Sequence, residues 1–315
     1  MSGARLGVVV NPSAGAGRGT SKGARAVKAL RALGYEVADL SARDLAGATA
    51  SARQGVVDGI DALVVVGGDG MANLGANIVA ATNLPLGIVP EGTGNDVARS
   101  LGLPVRHAAA AVEAIDRALR EGPRVIDAVK VTDAVHESMT LWFAGVLTAG
   151  FDAAVNARAN AMSWPSGSGR YVRALLAELG RFAPYAYRVT VDGEVWESEG
   201  TLVSVANGRA IGGGMLIAPD AELDDGLLDV ILAGPLTRGG LLKVFPKVYS
   251  GRHTTHPALT VRRGRVVVIE PAAAGPPPPD AYADGELIGA LPLRCEVVPG
   301  ALRVLAPRPA RTLGG

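Results

Sequence analysis

Two short stretches set a carboxylate among glycines: Gly67-Gly68-Asp69-Gly70, and Glu91-Gly92-Thr93-Gly94-Asn95-Asp96. Glycine strips side chains from a loop, so a ligand can approach the backbone and its amides can point at an anion. An acid among bare amides suits a Mg-nucleotide, the amides taking phosphate and the acid a metal or a hydroxyl. A third loop, Asn11 to Gly19, follows a short apolar run and precedes a helical stretch, a generic anion-binding arrangement. Asn11, Ser13 and Arg18 are its candidate phosphate contacts, although it lacks the Walker pattern. Each loop taken singly is also compatible with an ordinary turn into a helix.

The flanking segments explain why the loops belong together. Leu63 to Val66 is unbroken and mostly β-branched, as expected of a parallel strand covered on both faces. Leu6–Val10, Tyr35–Leu40 and Leu84–Pro90 read as further strands. Thr20–Leu33, Ala48–Gly59, Asn73–Ala81 and His107–Glu121 read as helices between them. Alternation of this kind implies a doubly wound parallel sheet, whose ligands sit at the carboxyl ends of the strands. All three loops fall at that edge. Arg124–Val131 reads as a strand carrying Asp127, an acid that is costly there unless paired. It either meets a basic partner or joins the acids at the sheet edge.

From about Thr132 short alternating runs replace helices, with one helical insert at Gly169–Phe182. The expected organisation is an α/β domain over 1–132, a mostly-β sandwich domain over 133–306 and a tail over 307–315. Hydrophobic residues at 48% and charged residues at 19% support a large core and exclude global disorder. The single cysteine, Cys295, excludes an internal disulfide and reads as a buried structural thiol. No window has the roughly 18 apolar residues of a membrane span. With no signal-peptide pattern at the N-terminus, a cytoplasmic protein is expected, any membrane contact being peripheral.

Taken jointly, these residues resemble the diacylglycerol kinase catalytic domain, a family that includes soluble bacterial lipid kinases and is related to sphingosine and ceramide kinases. The motifs are Gly67-Gly68-Asp69-Gly70 and Pro90-x-Gly92-Thr93-Gly94-Asn95-Asp96-x-Ala98-Arg99. The likeness continues in Asn11-Pro12-Ser13-Ala14-Gly15, Ala149-Gly150-Phe151-Asp152-Ala153, Leu223-Asp224-Asp225-Gly226 and Ala283-Asp284-Gly285-Glu286. It spans nearly the whole chain, whereas the first tetrapeptide alone is shared with NAD kinases and phosphofructokinases. Arg158-Ala159-Asn160-x-Met162-x-Trp164-Pro165 is similar to the actinobacterial type.

The resemblance implies ATP-dependent phosphoryl transfer to diacylglycerol, giving phosphatidic acid, with the nucleotide between an NAD kinase-like α/β domain and a β-sandwich. By matched position ATP is held by Asn11, Pro12, Ser13, Gly15, Arg18, Gly67, Gly68, Asp69, Gly70, Asn73, Gly92, Thr93, Gly94 and Asn95. Asp69 and Asp96 place the catalytic Mg²⁺. The general base is Asp284 or Glu286, with Asp284 preferred. A structural Mg²⁺ is implied at Asp225 with the carbonyls of Glu222 and Leu227. Two positions depart from the common pattern: Met71 stands where threonine is frequent, and Leu74 where an acid is frequent. Another lipid alcohol, a sphingoid base or ceramide, is the alternative substrate. A non-catalytic lipid- or nucleotide-binding module is the alternative of another class.

Other chemistries find little support. The four histidines lie outside these motifs, and paired cysteines and His-Glu-x-x-His are absent. Net charge is +1, which gives no global attraction to nucleic acid, and aromatics for base stacking are only 4%. Between Asp229 and Glu270 there is nevertheless no acid, while Arg238, Lys243, Lys247, Arg252, Arg262, Arg263 and Arg265 all fall there. Such a stretch suits either an anionic membrane surface or an ordinary solvated helix face. A homodimer through the β domain is compatible with this reading, and the sequence leaves the oligomeric state open.

Overall fold

The computed structural model describes residues 3–11, 18–135, 139–162, 164, 168–273 and 275–308, the side chains of 18–22, 168, 171, 181 and 198 excepted. The chain divides into two compact units, one of Met1–Ile126 with Gly300–Gly315 and the other of Asp127–Pro299.

The first unit alternates strand and helix: β1 (Arg5–Val10), α1 (Arg18–Ala32), β2 (Glu36–Asp39), α2 (Leu45–Val57), β3 (Ala62–Gly67), α3 (Asp69–Val79), β4 (Leu86–Pro90), α4 (Asp96–Ser100) and α5 (Ala108–Glu121). All pairings are parallel, with β2, β1, β3 and β4 side by side. Successive side chains of β3 point to opposite faces. Val64 joins Leu30, Ile115 and Leu119 of α1 and α5 in one cluster. Val65 lies under α3, where Gly75 lets the helix approach: a Cβ there would sit 2.5 Å from Leu86 and 3.3 Å from Val65. The doubly wound parallel sheet expected from the alternation is therefore present. α3 begins at Asp69, not at Asn73, so the glycine-acid turn is itself a helix N-terminus.

β5 (Arg124–Asp133) carries the chain into the second unit. There follow β6 (Thr140–Phe143), β7 (Val146–Gly150), α6 (Phe151–Ala161), α7 (Ser168–Arg181), β8 (Tyr185–Val191), β9 (Glu194–Gly200), β10 (Leu202–Ala206) and β11 (Leu228–Ala233). Then come α8 (Arg238–Val248), β12 (Leu259–Gly264), β13 (Val266–Pro271), β14 (Ala281–Ala283), β15 (Glu286–Gly289) and β16 (Leu293–Val304). One sheet runs β12-β11-β10-β7-β14-β15. Facing it, β13 pairs antiparallel with β8 and with the first half of β16. The sandwich core takes Phe143, Tyr187, Val267 and Cys295 from one layer and Leu147, Val203, Val230 and Ala283 from the other. Cys295 is buried as expected, and burial pushes its thiol up to about 12. The sequence reading named one helical insert in this unit and a basic helix through Leu241–Val248, which is α8; α6 is a helix as well. The end of β16 returns to the first unit, where Val304 pairs in parallel with Leu86. Among the described residues no helix is long and apolar enough to cross a membrane.

Candidate active site

In the first unit the two glycine loops are locked together by backbone contact. Glu91 N–H donates to the Gly67 carbonyl at 2.8 Å. A Cβ on Gly92 would lie 2.3 Å from the Gly68 Cα, so Gly92 tolerates no side chain, and one on Gly68 would crowd the Gly92 Cα at 3.2 Å. A Cβ on Gly67 would lie 2.4 Å from the Met71 side chain. Met71 and Leu74, the two departures from the family pattern, are both buried in α3, so both apolar side chains serve the core.

Asp69 ties the first turn of α3 to that of α4. Its Oδ1 accepts the N–H of Asp96 at 2.6 Å and that of Val97 at 3.2 Å. Its Oδ2 points to the space left by the missing side chain of Gly94, 2.6 Å from where a Cβ would be. Asp96 Oδ2 borders the same point at 3.3 Å. The unit thus brings two carboxylate oxygens to one glycine-cleared spot, beside two helix starts that carry partial positive charge.

Asn95 is buried with φ 57°, the left-handed region. Its side chain accepts from Gly92 N–H at 3.0 Å and donates to Gly92 O at 2.8 Å, so it shapes the loop from within. Arg99 Nε steadies the Gly94 carbonyl at 3.1 Å. Thr93 is exposed at the loop's crest. Asn11 donates its N–H to Val66 O at 3.1 Å and lies against Gly67. Asn73 lies farther along α3 and receives the Asn77 amide at 3.1 Å. Pro12, Ser13 and Gly15, and the side chain of Arg18, lie outside the described residues.

In the second unit Asp284 and Gly285 join β14 to β15, with φ 49° and 84°. Positive φ at both central residues is the type I′ hairpin that Asp-Gly favours. The Asp284 carboxylate accepts three amide N–H groups, from Ala144 (3.1 Å), Gly145 (3.2 Å) and Val146 (3.0 Å). Glu286 differs: burial alone pushes its carboxyl above the ordinary range. Residues that the sequence reading gave no role surround this turn. Asn156 and Asn160, one helical turn apart on α6, each direct Nδ2 at the Gly285 carbonyl at 3.4 Å. One turn earlier stands Asp152. Both its oxygens lack exposed surface, and burial pushes it up to about 6. Thr148 and the Ala153 amide offset part of that cost. The i, i+4, i+8 spacing of these three polar residues was the available signal.

The acidic turn at Glu222–Leu227 is satisfied from within the chain. Asp225 Oδ1 accepts Leu227 N–H at 3.0 Å, and its Oδ2 pairs with Arg263, which also reaches Asp229 at 3.5 Å. A Mg²⁺ at Asp225 would have to displace that guanidinium, so the residues do not fit a metal as they stand. The Asp127 Oδ2 accepts Gly226 N–H at 2.7 Å in the second unit, so this strand acid is bonded to the neighbouring acidic turn. No group of three or more His, Cys, Asp or Glu among the described residues is placed to hold a metal. The Asp69–Asp96 pair fits Mg²⁺ better, because that ion takes one or two carboxylates and completes its shell with phosphate and water.

Comparison with known proteins covers both units. Residues 5–131 match the diacylglycerol kinase catalytic domain, and residues 145–306 match the YegS C-terminal NAD kinase beta sandwich-like domain. A protein of Mycobacterium tuberculosis named diacylglycerol kinase is 37% identical over 305 residues, 96% of each chain. A Stenotrophomonas maltophilia protein named "Probable lipid kinase YegS-like" is 33% identical over 82% of each. A crystal structure described as a diacylglycerol kinase from Bacillus anthracis shares the fold, with TM-score 0.71 and 21% identity over 96% of this chain and 97% of that one.

Proposed function

The chain belongs to the diacylglycerol kinase family of lipid kinases, and from that premise we propose that it phosphorylates diacylglycerol with ATP, giving phosphatidic acid. The observation that carries the chemistry is the Asp69–Gly94–Asp96 spot: two carboxylate oxygens meeting where a side chain is missing, in loops held by backbone bonds. Phosphoryl transfer needs positioning and charge neutralisation more than covalent participation by the protein. The bare backbone of Gly68, Gly92 and Gly94 admits phosphate close to the main chain, and the starts of α3 and α4 favour its charge. Asp69 and Asp96 would hold Mg²⁺, which when bound neutralises charge on the phosphates.

Glu286 is the general base of this reading, in preference to Asp284. A base must be able to take the proton of the lipid hydroxyl. The Asp284 carboxylate is committed to three amides, and adding a proton to it would cost those bonds. Glu286 has its proton affinity raised by burial, which makes it the better proton acceptor of the two. Asp284, Asn156 and Asn160 hold the turn that presents it.

A labelled-ATP assay over diacylglycerol, sphingosine and ceramide tests the substrate. Phosphate incorporation into diacylglycerol well above the others is expected, with Asp69→Ala abolishing it. Preference for ceramide or a sphingoid base would replace the substrate with another lipid alcohol. ATP binding without turnover on any lipid would make the chain a binding module.

A further inference from the structure

Helix α8 has two faces of different character. Leu241, Val244 and Val248 are buried, Leu241 with Phe151 and Val155 of α6 and Val248 with Val146 and Ile231 of the sandwich. Leu242, Phe245 and Tyr249 form a second stripe at i, i+3 and i+7, with Leu242 and Tyr249 51% and 56% exposed. The rings of Phe245 and Tyr249 meet edge to face at 6.1 Å, so the outward stripe is packed upon itself. Lys243 and Lys247 lie beside it, and Arg252 follows in the next turn, all exposed. Arg263 spends its charge on Asp225 and Asp229, but none of these three cations is in an ion pair among the described residues. No acid occurs in the chain between Asp229 and Glu270 to neutralise them.

We infer that the outward face of α8 docks the protein on an anionic lipid bilayer. Charge complementarity selects that occupant. Unneutralised lysines beside exposed Leu242 and Tyr249, with the half-buried Phe245 between them, match an interface that is apolar below and negatively charged above. Lysine stems can lie along the apolar layer while their ammonium groups reach the headgroups, and tyrosine likewise has an apolar body and a polar tip. A nucleic acid would use the cations but leave Leu242 and Phe245 without a role. The inference rests on the lipid-kinase reading only for its purpose: a diacylglycerol with long chains is met at a bilayer.

The test is co-sedimentation of the full chain with vesicles of phosphatidylcholine alone or mixed with phosphatidylglycerol. Binding to the mixed vesicles, falling with salt, is expected. Lys243→Glu with Lys247→Glu should weaken it by about tenfold or more, since each cation near such a surface contributes roughly a fivefold factor. Leu242→Asp with Tyr249→Asp should do the same. Both pairs should keep the wild-type melting temperature and the turnover of a dispersed short-chain diacylglycerol. Equal vesicle binding by wild type and both pairs overturns the inference. So does loss of binding in Val172→Ser with Leu176→Ser on α7 while the α8 variants bind normally. Binding of a duplex oligonucleotide with none to vesicles overturns it in favour of nucleic acid. A chain that sediments through α8 yet phosphorylates no lipid would sink the kinase reading and leave this surface standing.

Discussion

Two acids separated by a single glycine divide their labour because their surroundings differ. Burial alone raises the Glu286 carboxyl, whereas Asp284 is bonded by three main-chain amides. Glu286→Gln should therefore lower kcat by about 10²–10⁴ with little change in melting temperature. The wild-type kcat should rise with pH through a carboxyl group titrating above the ordinary glutamate range, because the base works deprotonated. Asp284→Asn exchanges an acceptor for a donor in front of those N–H groups. It should cost about 2–3 kcal/mol of stability, seen as a lower denaturant midpoint. Wild-type kcat in Glu286→Gln, with kcat lost and stability kept in Asp284→Asn, would return the base to Asp284. The sequence could name both acids but not rank them, because the amides of Ala144 to Val146 lie far away along the chain. Asn95 was similarly legible as a loop residue, while its inward amide and the commitment of Asp225 to Arg263 depend on contacts that no local pattern encodes.

At the scale of elements, long periodic segments were readable and short or mixed ones were not. β3 and α5 follow from an unbroken apolar run and a clear helical stripe. α6 escaped because its buried stripe of Phe151, Val155 and Ala159 is interleaved with alanine and asparagine, which mark neither a face nor a turn. β9 carries three glutamates among its seven residues, as suits a charged edge strand, and so lacks an apolar alternation. β14 and β15 are too short for any period, although Asp-Gly between them is a hairpin signal, used again by Asp192-Gly193 between β8 and β9. α6 also carries a testable cost. Asp152 is pushed from an ordinary 3.8 to about 6 by burial. The folded chain keeps a proton that the unfolded chain has released. Stability is thus greatest below about pH 4 as far as this group is concerned, and it falls as pH rises to about 6. Asp152→Asn should flatten that slope and raise stability at pH 7.5 by roughly 2–3 kcal/mol, read by urea unfolding across the range. Parallel stability–pH curves for the two proteins would show that Asp152 is not the source.

At the scale of the molecule, two domains could be expected from the change in pattern near Thr132, but the path of the chain could not. The apolar run Ala301–Leu305 reads as a strand, and nothing in a single run says which sheet accepts it. It completes the first unit: Val304 pairs with Leu86, Leu305 N–H donates to Leu86 O at 2.8 Å, and Ala81 N–H to Ala301 O at 2.8 Å. Leu302, Val304 and Leu305 are buried almost completely. Burying a large aliphatic side chain contributes about 1.5–3 kcal/mol, so these three contribute roughly 5–9 kcal/mol, comparable with the whole stability of a typical domain. A fragment of residues 1–131 should therefore be unfolded or aggregated, despite containing every strand the catalytic-domain match covers. Joining residues 300–308 to its C-terminus through a flexible linker should restore a cooperative thermal transition. In the full chain, Leu302→Asp should destabilise the first unit and with it any nucleotide binding. A fragment of 1–131 that melts cooperatively at the temperature of the linked form would mean that the returning strand merely rests on a sheet already stable without it.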